Sequence, residues 1–465
     1  MKNECAIGLL PFYLELYDKV SPRRRGPFEG FLGKIEKAFA ARGIQVVRAD
    51  ICRRAPEFRR AVAEFERAGV DAIVGVHLAY SPSLEAAGTL CGTDLPLILM
   101  DTTLDAAFGF GTDPSRVMFN HGIHGVMDLA SVLRRRGRHF EIVAGAFGPA
   151  LRDRAAGLVR AARAARAFRG MTALRIGESF RGMGDFAVEE SLLRRRFGIR
   201  VKTIPPEALL PDIRRIPRAD VAAEMKRDRA AYRVALPADV HACSVRTGLA
   251  IRRRLAREGA GAFSFNFLAF DGLAGRDITV PFLEASKAMA RGVGYAGEGD
   301  VLTAAFMGAL ARGFGLTTFT EIFCPDWRGN SLYLSHMGEV NPEFLAGRPR
   351  LLGMDFKFGR VKAPAYLAGS FAPGAAVYAD IVPGPGGTFS VIASPVRLAT
   401  GREHPGMARS IRGWMRPSVP VPEFLEEYAR AGGTHHAALV RGATPEAVAA
   451  FARFAGMECR VIGEV

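Results

Sequence analysis

Ala72-Ile73-Val74-Gly75-Val76-His77 is a short apolar run that ends on a histidine, and the texture around it decides the fold class. Runs 6–10, 44–48, 97–100 and 140–144 have the same character and read with it as buried strands. Between them, 28–42, 57–68 and 124–136 are amphipathic at helical period. Alternating strands and helices imply a parallel sheet covered on both faces. Ligands of such sheets sit beyond the carboxyl ends of the strands. His77 falls at one such end, as does the loop around Asn120.

The Arg/Ala-rich helix after Gly148 reads as a crossing into a second, smaller α/β unit, with elements expected at 173–177, 189–197, 199–204 and 263–267. After about Thr317 glycine and proline become frequent, as in Pro383-Gly384-Pro385-Gly386-Gly387, and short β-prone runs appear at 376–382 and 388–392. That texture predicts a mostly antiparallel β-domain, for which a barrel is one closed form. A helix at 445–455 and a strand at 458–462 end the chain. The expected domains are therefore 1–168, 169–316 and 317–465. We find no internal repeat and no long low-complexity tract.

The bulk composition agrees. A chain of 465 residues is too long for one ordinary core, and 49% hydrophobic with 24% charged residues can bury large cores and stay in solution. No apolar run approaches the roughly 20 residues that span a bilayer. Residues 1–10 read as a first strand rather than a signal peptide. The six cysteines (Cys5, Cys52, Cys91, Cys243, Cys324, Cys459) are scattered without a CxxC pair and read as reduced residues of a cytoplasmic protein. The net charge of +16 sits in short arginine runs, 23–25, 134–136, 194–196 and 252–254. They lie at element ends and on helices and lack the aromatic interleaving of a nucleic-acid face, so neither a nucleic-acid nor a membrane partner is expected.

Four motifs carry chemistry: Gly294-Tyr295-Ala296-Gly297-Glu298-Gly299-Asp300, Thr318-Phe319-Thr320-Glu321, Ser335-His336-Met337-Gly338-Glu339-Val340, and Gly432-Gly433-Thr434-His435-His436. Two carboxylates and two neutral imidazoles suit a borderline-hard divalent ion and balance its charge. Four protein ligands on an octahedral ion leave two positions for adjacent oxygens of a sugar. Each residue also has a plainer use. Glu298 and Asp300 could start a helix near Val301, the use we expect of Asp300. A lone His336 would serve as a core histidine, and His139, His241 and His404 match no motif and read as structural.

Taken together, these motifs resemble those of the L-arabinose isomerase family, in order and approximate spacing. Val76-His77-Leu78-Ala79-Tyr80-Ser81-Pro82 and Asn120-His121-Gly122-Ile123-His124-Gly125 resemble two further family stretches. The resemblance covers most of the chain. It implies two Rossmann-like doubly wound domains followed by a C-terminal β-barrel, assembled as a homo-trimer or homo-hexamer. Carried over by motif, the metal ligands are Glu298, Glu321, His336 and His436, with His435 facing the substrate. Mn²⁺ is the expected ion, with Co²⁺ or Mg²⁺ as substitutes. The resemblance also places the loops bearing His77, Asn120 and His124 over a neighbouring subunit's site, with substrate contact expected above all from His124. Asn266 and Phe267 match a stretch near the pocket, and Phe186 matches another.

One stretch departs from the family. Where arabinose isomerases carry Gln-His-Leu-Tyr, with the glutamine touching the sugar, this chain has Leu14-Glu15-Leu16-Tyr17. Leucine cannot make those hydrogen bonds, so the sugar met at Leu14 is expected to be other than L-arabinose. The resemblance thus implies an aldose–ketose isomerase with Glu298 and Glu321 as acid and base. A metal-dependent epimerase and a non-catalytic sugar-binding protein are the alternatives. Release of an aldose epimer without ketose would mark the first, and loss of ligands would mark the second.

Overall fold

The computed structural model describes residues 5–20 and 25–463. Residues 1–4 of the first-strand reading, and Arg23 and Arg24 of the first arginine run, lie outside the described residues. The chain divides into two compact units, Met1–Arg163 and Ala164–Val465.

The first unit is built on a five-stranded parallel sheet in the order Ile44–Arg48, Cys5–Phe12, Ala72–His77, Leu97–Asp101, Glu141–Ala144. Ala72–His77 is buried at all six positions, which is why its sequence lacks strand alternation. The edge strand Glu141–Ala144 alternates buried and exposed residues, as a strand covered on one face does. Helix Ala55–Ala68 packs Phe58, Val62 and Phe65 into the core, beside Leu90 of helix Ser83–Cys91 and Leu129 and Leu133 of helix Ile123–Arg135. Its start is fixed by Glu57, whose carboxylate accepts the amides of Arg53 and Arg54 at 2.6 and 3.1 Å. Gly69, at φ 67°, ends it in the left-handed conformation that glycine adopts without strain.

In the second unit, strands Gly294–Ala296, Ala262–Phe265, Thr172–Ile176 and Arg200–Ile204 form a four-stranded parallel sheet in that order. A larger mixed sheet of ten strands follows. Six of its strands, Phe389–Ala399, Gly374–Pro383, His436–Val440, Thr317–Asp326, Ser331–Ser335 and Ile411–Pro417, pair antiparallel in succession, and the last also pairs with the first. Parallel pairings enter only at its margins. One of them joins Arg233–Ala235, from the middle of the chain, to Arg350–Gly353. That long-range pairing ties the parallel sheet's region to the mixed sheet, and both fall in one compact unit.

Register in the mixed sheet sets up the chemistry. Glu321 lies opposite Ser335 on one neighbouring strand and opposite His436 on the other. A carboxylate is thereby placed in line with an imidazole on one side and next to His336 on the other, from stretches far apart in sequence. Among the described residues no helix is long and apolar enough to cross a membrane.

Candidate metal centre

Five of the sequence-selected side chains converge in the second unit. His336 Nε2 lies 3.0 Å from Glu321 Oε1, and His436 Nε2 lies 3.3 Å from the same oxygen. His436 Nε2 is also 3.5 Å from Glu298 Oε2, and His435 Nε2 is 3.6 Å from it. Glu321, His336 and His436 offer ligand atoms within 4.8 Å of one another, as do Glu298, His435 and His436. Among the described residues, Glu298 Oε2 and His436 Nε2 are buried polar atoms with no hydrogen-bond partner. Leaving such atoms unpaired costs about 1–3 kcal/mol each, more when charged. A divalent cation bound by both removes that cost, so the donor set fits one.

Each imidazole is held from behind. His336 Nδ1 faces Glu339 Oε2 at 2.7 Å, and Glu339 Oε1 accepts the buried Tyr295 hydroxyl at 2.5 Å. His436 Nδ1 faces Asp300 Oδ2 at 2.9 Å, and His435 Nδ1 faces Asp185 Oδ2 at 2.6 Å. A carboxylate accepts and does not donate, so these partners assign the proton to Nδ1 and aim Nε2 at the centre. Phe319 sets its ring edge-on to both His336 and His436, with centroids 4.8 and 5.0 Å apart.

The backbone supports this placement. Glu298 sits at φ 61°, one of two described non-glycine residues with positive φ. That conformation is costly for a side-chain-bearing residue and clusters at functional sites. Ser264 secures the turn: its hydroxyl accepts the Gly299 amide at 2.9 Å and lies 2.8 Å from the Ala296 carbonyl. On the other side, Asp380 accepts the Thr434 amide at 2.7 Å, the Thr434 hydroxyl at 3.0 Å and the Tyr428 hydroxyl at 2.7 Å. Gly433 lies against Tyr428 so closely that an added Cβ would stand 2.3 Å from the ring.

The electrostatics follow from the packing. Burial pushes the Glu298 carboxyl up, but the His435 and His436 imidazoles close to it outweigh burial and hold the group at about 2. Glu321 is also buried, and the His336 charge, with the His436 ring beside it, takes it well below the usual carboxylate range. Burial disfavours the His336 imidazolium, yet the charges of Glu339 and Glu321 raise it to about 10. His436 is likewise raised far above an ordinary histidine, against its burial, by Asp300, Glu298 and Glu321. The two glutamates are thus anions whose charge is balanced by ring protons. A cation bound here would replace that balance and would release those protons.

The remaining selected residues are placed as follows. Asn266 accepts the Leu268 amide at 3.0 Å, and the ring of Phe267 lies 5.6 Å from that of Phe180. Phe180 in turn donates its amide to the Glu298 carbonyl at 2.9 Å, so this aromatic pair borders the Glu298 turn. Phe186 stacks on His436, with centroids 4.7 Å apart. Leu14, His77, Asn120 and His124 belong to the first unit. His77 is buried against Phe12, its rings 4.3 Å apart, and burial pushes its imidazole down to about 3. Asn120 spends its amide on the Asp105 loop, with contacts of 2.7 and 2.9 Å. His124 is exposed beside His121, which contacts the Tyr17 hydroxyl at 2.9 Å. His241 is buried against Asp228 at 2.9 Å, and His404 accepts the Gly406 amide at 3.1 Å.

Asp185, Asp380 and the supporting use of Glu339 and Tyr295 escape the sequence reading. Glu339 carried a signal, since it lies three residues beyond His336 within the same motif. Asp185 lies in Gly184-Asp185-Phe186, the stretch that marks Phe186, but its use and that of Asp380 depend on His435 and Thr434, 250 and 54 residues away.

The family model for the L-arabinose isomerase central domain matches residues 174–312, and that for the L-arabinose isomerase C-terminal domain matches residues 316–458. Curated relatives share these names. L-arabinose isomerase of Nocardioides sp. (strain ATCC BAA-499 / JS614) is 28% identical over 436 residues, covering 89% of this chain and 85% of the relative. The enzyme of Geobacillus kaustophilus (strain HTA426) is 28% identical over 400 residues, covering 83% and 79%. That of Geobacillus stearothermophilus is 29% identical, again covering 83% and 79%.

Proposed function

The chain belongs to the L-arabinose isomerase family, and on that footing we propose that it is a metal-dependent aldose–ketose isomerase, an intramolecular oxidoreductase acting on a sugar. The observation that carries the reading is the meeting of Glu298, Glu321, His336 and His436 with two buried atoms, Glu298 Oε2 and His436 Nε2, left unpaired. These four side chains would hold the ion. A bound divalent ion, Mn²⁺ first and Co²⁺ or Mg²⁺ as substitutes, supplies Lewis-acid polarisation of two adjacent sugar oxygens.

The chain's own groups do the rest. Isomerisation moves one hydrogen from C2 to C1 and one proton between the two oxygens. Glu298 and Glu321 are anions at neutral pH and serve as base and acid for that proton: the carboxylate that takes it from one oxygen becomes the acid that returns it to the other. His435 presents Nε2 beside Glu298 and hydrogen-bonds a sugar hydroxyl. Phe319 and Phe186 keep water from the ring faces of the histidines.

The gap between the two family models, after 312 and before 316, supports a boundary near 316 between a central α/β domain and a C-terminal domain. The six strands that pair in a ring support reading that last domain as a β-barrel, and the two parallel sheets support Rossmann-like domains before it. We place the enzyme in the cytoplasm, where its free cysteines stay reduced. It works as a homo-trimer or homo-hexamer, in which the loops of His77, Asn120 and His124 cover a neighbouring subunit's metal site. Leu14, with no hydrogen bond to offer, stands where the family's glutamine meets the sugar.

A panel of pentoses, hexoses and deoxy sugars with Mn²⁺ added, assayed for ketose, tests the reading. Ketose is expected from at least one aldose, with a lower kcat/KM for L-arabinose than for a sugar that has an apolar or missing hydroxyl at the matching position. No ketose from any sugar would overturn the isomerase, and L-arabinose as the best substrate would overturn the specificity.

A further inference from the structure

His435 is held from two sides by a segment 250 residues away in the chain. Asp185 Oδ2 accepts the backbone N–H of His435 at 3.0 Å and its ring Nδ1–H at 2.6 Å. The next residue, Phe186, lies flat on the ring of His436, 4.7 Å between centroids and 9° between planes. One loop therefore fixes both tandem imidazoles, the first through a carboxylate and the second through ring stacking.

The two histidines receive different treatment. His436 Nε2 meets both Glu298 and Glu321, at 3.5 and 3.3 Å, and the ring is fully buried. His435 Nε2 reaches Glu298 alone, at 3.6 Å, and 37% of its side chain remains exposed. A buried ring between two carboxylates suits a metal ligand. A half-open ring at the rim, touching one of them, suits a group that meets an incoming sugar. Such a ring turns freely about its side-chain torsions unless something anchors its far nitrogen, and misplacement by about 1 Å costs on the order of 10²-fold in rate.

We propose that Asp185 is a positioning residue for the sugar reaction, fixing the His435 ring through its Nδ1–H and main-chain N–H so that Nε2 faces Glu298 and the substrate. The inference rests on the isomerase reading for its consequence in turnover, but the contact itself can be tested without turnover. Phe186 contributes by closing the same loop over His436.

The experiment compares the full-length wild type with Asp185→Ala and the isosteric Asp185→Asn, checking each for wild-type thermal unfolding. The first readout is ¹⁵N-edited NMR of histidine-labelled protein, with the His435 signals assigned by their loss in His435→Gln. Wild type should show a strongly deshielded Nδ1–H for His435, absent from Asp185→Ala. The second is Mn²⁺ affinity, expected within about threefold of wild type because His436, not His435, holds the ion. The third is kcat/KM on the best aldose, expected to fall about 10- to 100-fold, the usual loss for a partner behind an active imidazole. An Nδ1–H signal that persists in Asp185→Ala overturns the proposal, as does unchanged kcat/KM in both variants. Mn²⁺ affinity falling in step with activity would make His435 a metal ligand and overturn it too. If wild type converts no aldose, the isomerase reading fails on its own, and the NMR and Mn²⁺ results still decide whether Asp185 holds His435.

Discussion

Asp300 joins a helix start to the candidate metal centre: its Oδ1 accepts the Thr303 amide at 2.9 Å while its Oδ2 lies 2.9 Å from Nδ1 of His436. The two uses separate by substitution. Asp300→Asn keeps an N-cap acceptor of similar strength but loses the charge behind His436. Its Mn²⁺ affinity should fall about 10- to 100-fold with little change in thermal stability. Asp300→Ala should lose the same affinity and about 1 kcal/mol of stability besides. Isothermal titration and thermal unfolding of both variants check this. Wild-type affinity in Asp300→Asn would show that the contact does not serve the ion.

The loop that delivers His435 and His436 depends on a missing side chain. A Cβ on Gly433 would stand 2.3 Å from the Tyr428 ring, and that ring is held by stacking on Phe424 and by its hydroxyl on Asp380. Gly433→Ala should therefore destabilise the protein by about 1–3 kcal/mol, the range for overpacking, and weaken Mn²⁺ binding through the displaced loop. A variant that melts with wild type and binds Mn²⁺ as tightly would refute the account of this turn.

How much of this was legible can be judged from individual residues. Glu298, Glu321, His336 and His436 each sit in a short motif, and motif order survives in a single sequence. The strands of the first unit announced themselves because buried parallel strands are continuous apolar runs, as at Ala72–His77. Asp300 reads as a helix cap, which it is, but its second bond depends on a residue 136 positions away. Asp185 with His435, and Arg233–Ala235 beside Arg350–Gly353, depend on tertiary pairing that no local pattern records.

A buried ionic cluster in the second unit makes a stability prediction. Glu224 is buried, which pushes its carboxyl up, but hydrogen bonding and charge from Lys287, then Arg252 and Arg227, outweigh burial and hold it well below the usual range. Lys287 also contacts Asp228 at 2.5 Å. Because the folded carboxyl is depressed, its stabilisation is fully present above the unfolded carboxyl range, near 4.5, and is lost as pH falls below it. Glu224→Gln should cost about 3–5 kcal/mol at pH 7 by leaving Lys287 and Arg252 short of a partner. The gap to wild type should narrow in thermal melts taken at progressively lower pH. A gap constant with pH would assign the loss to packing rather than charge.

One divalent ion, held by Glu298, Glu321, His336 and His436, should be required for turnover. The most direct measurement is Mn²⁺ titration of chelator-stripped protein, following bound ion by electron paramagnetic resonance and ketose formation in the same samples, alongside Glu321→Gln. Stripped protein should be inactive, one Mn²⁺ should bind per chain with activity rising in proportion, and Glu321→Gln should lose at least about 10²-fold in kcat. Full activity in stripped protein, or wild-type turnover in Glu321→Gln, would contradict this.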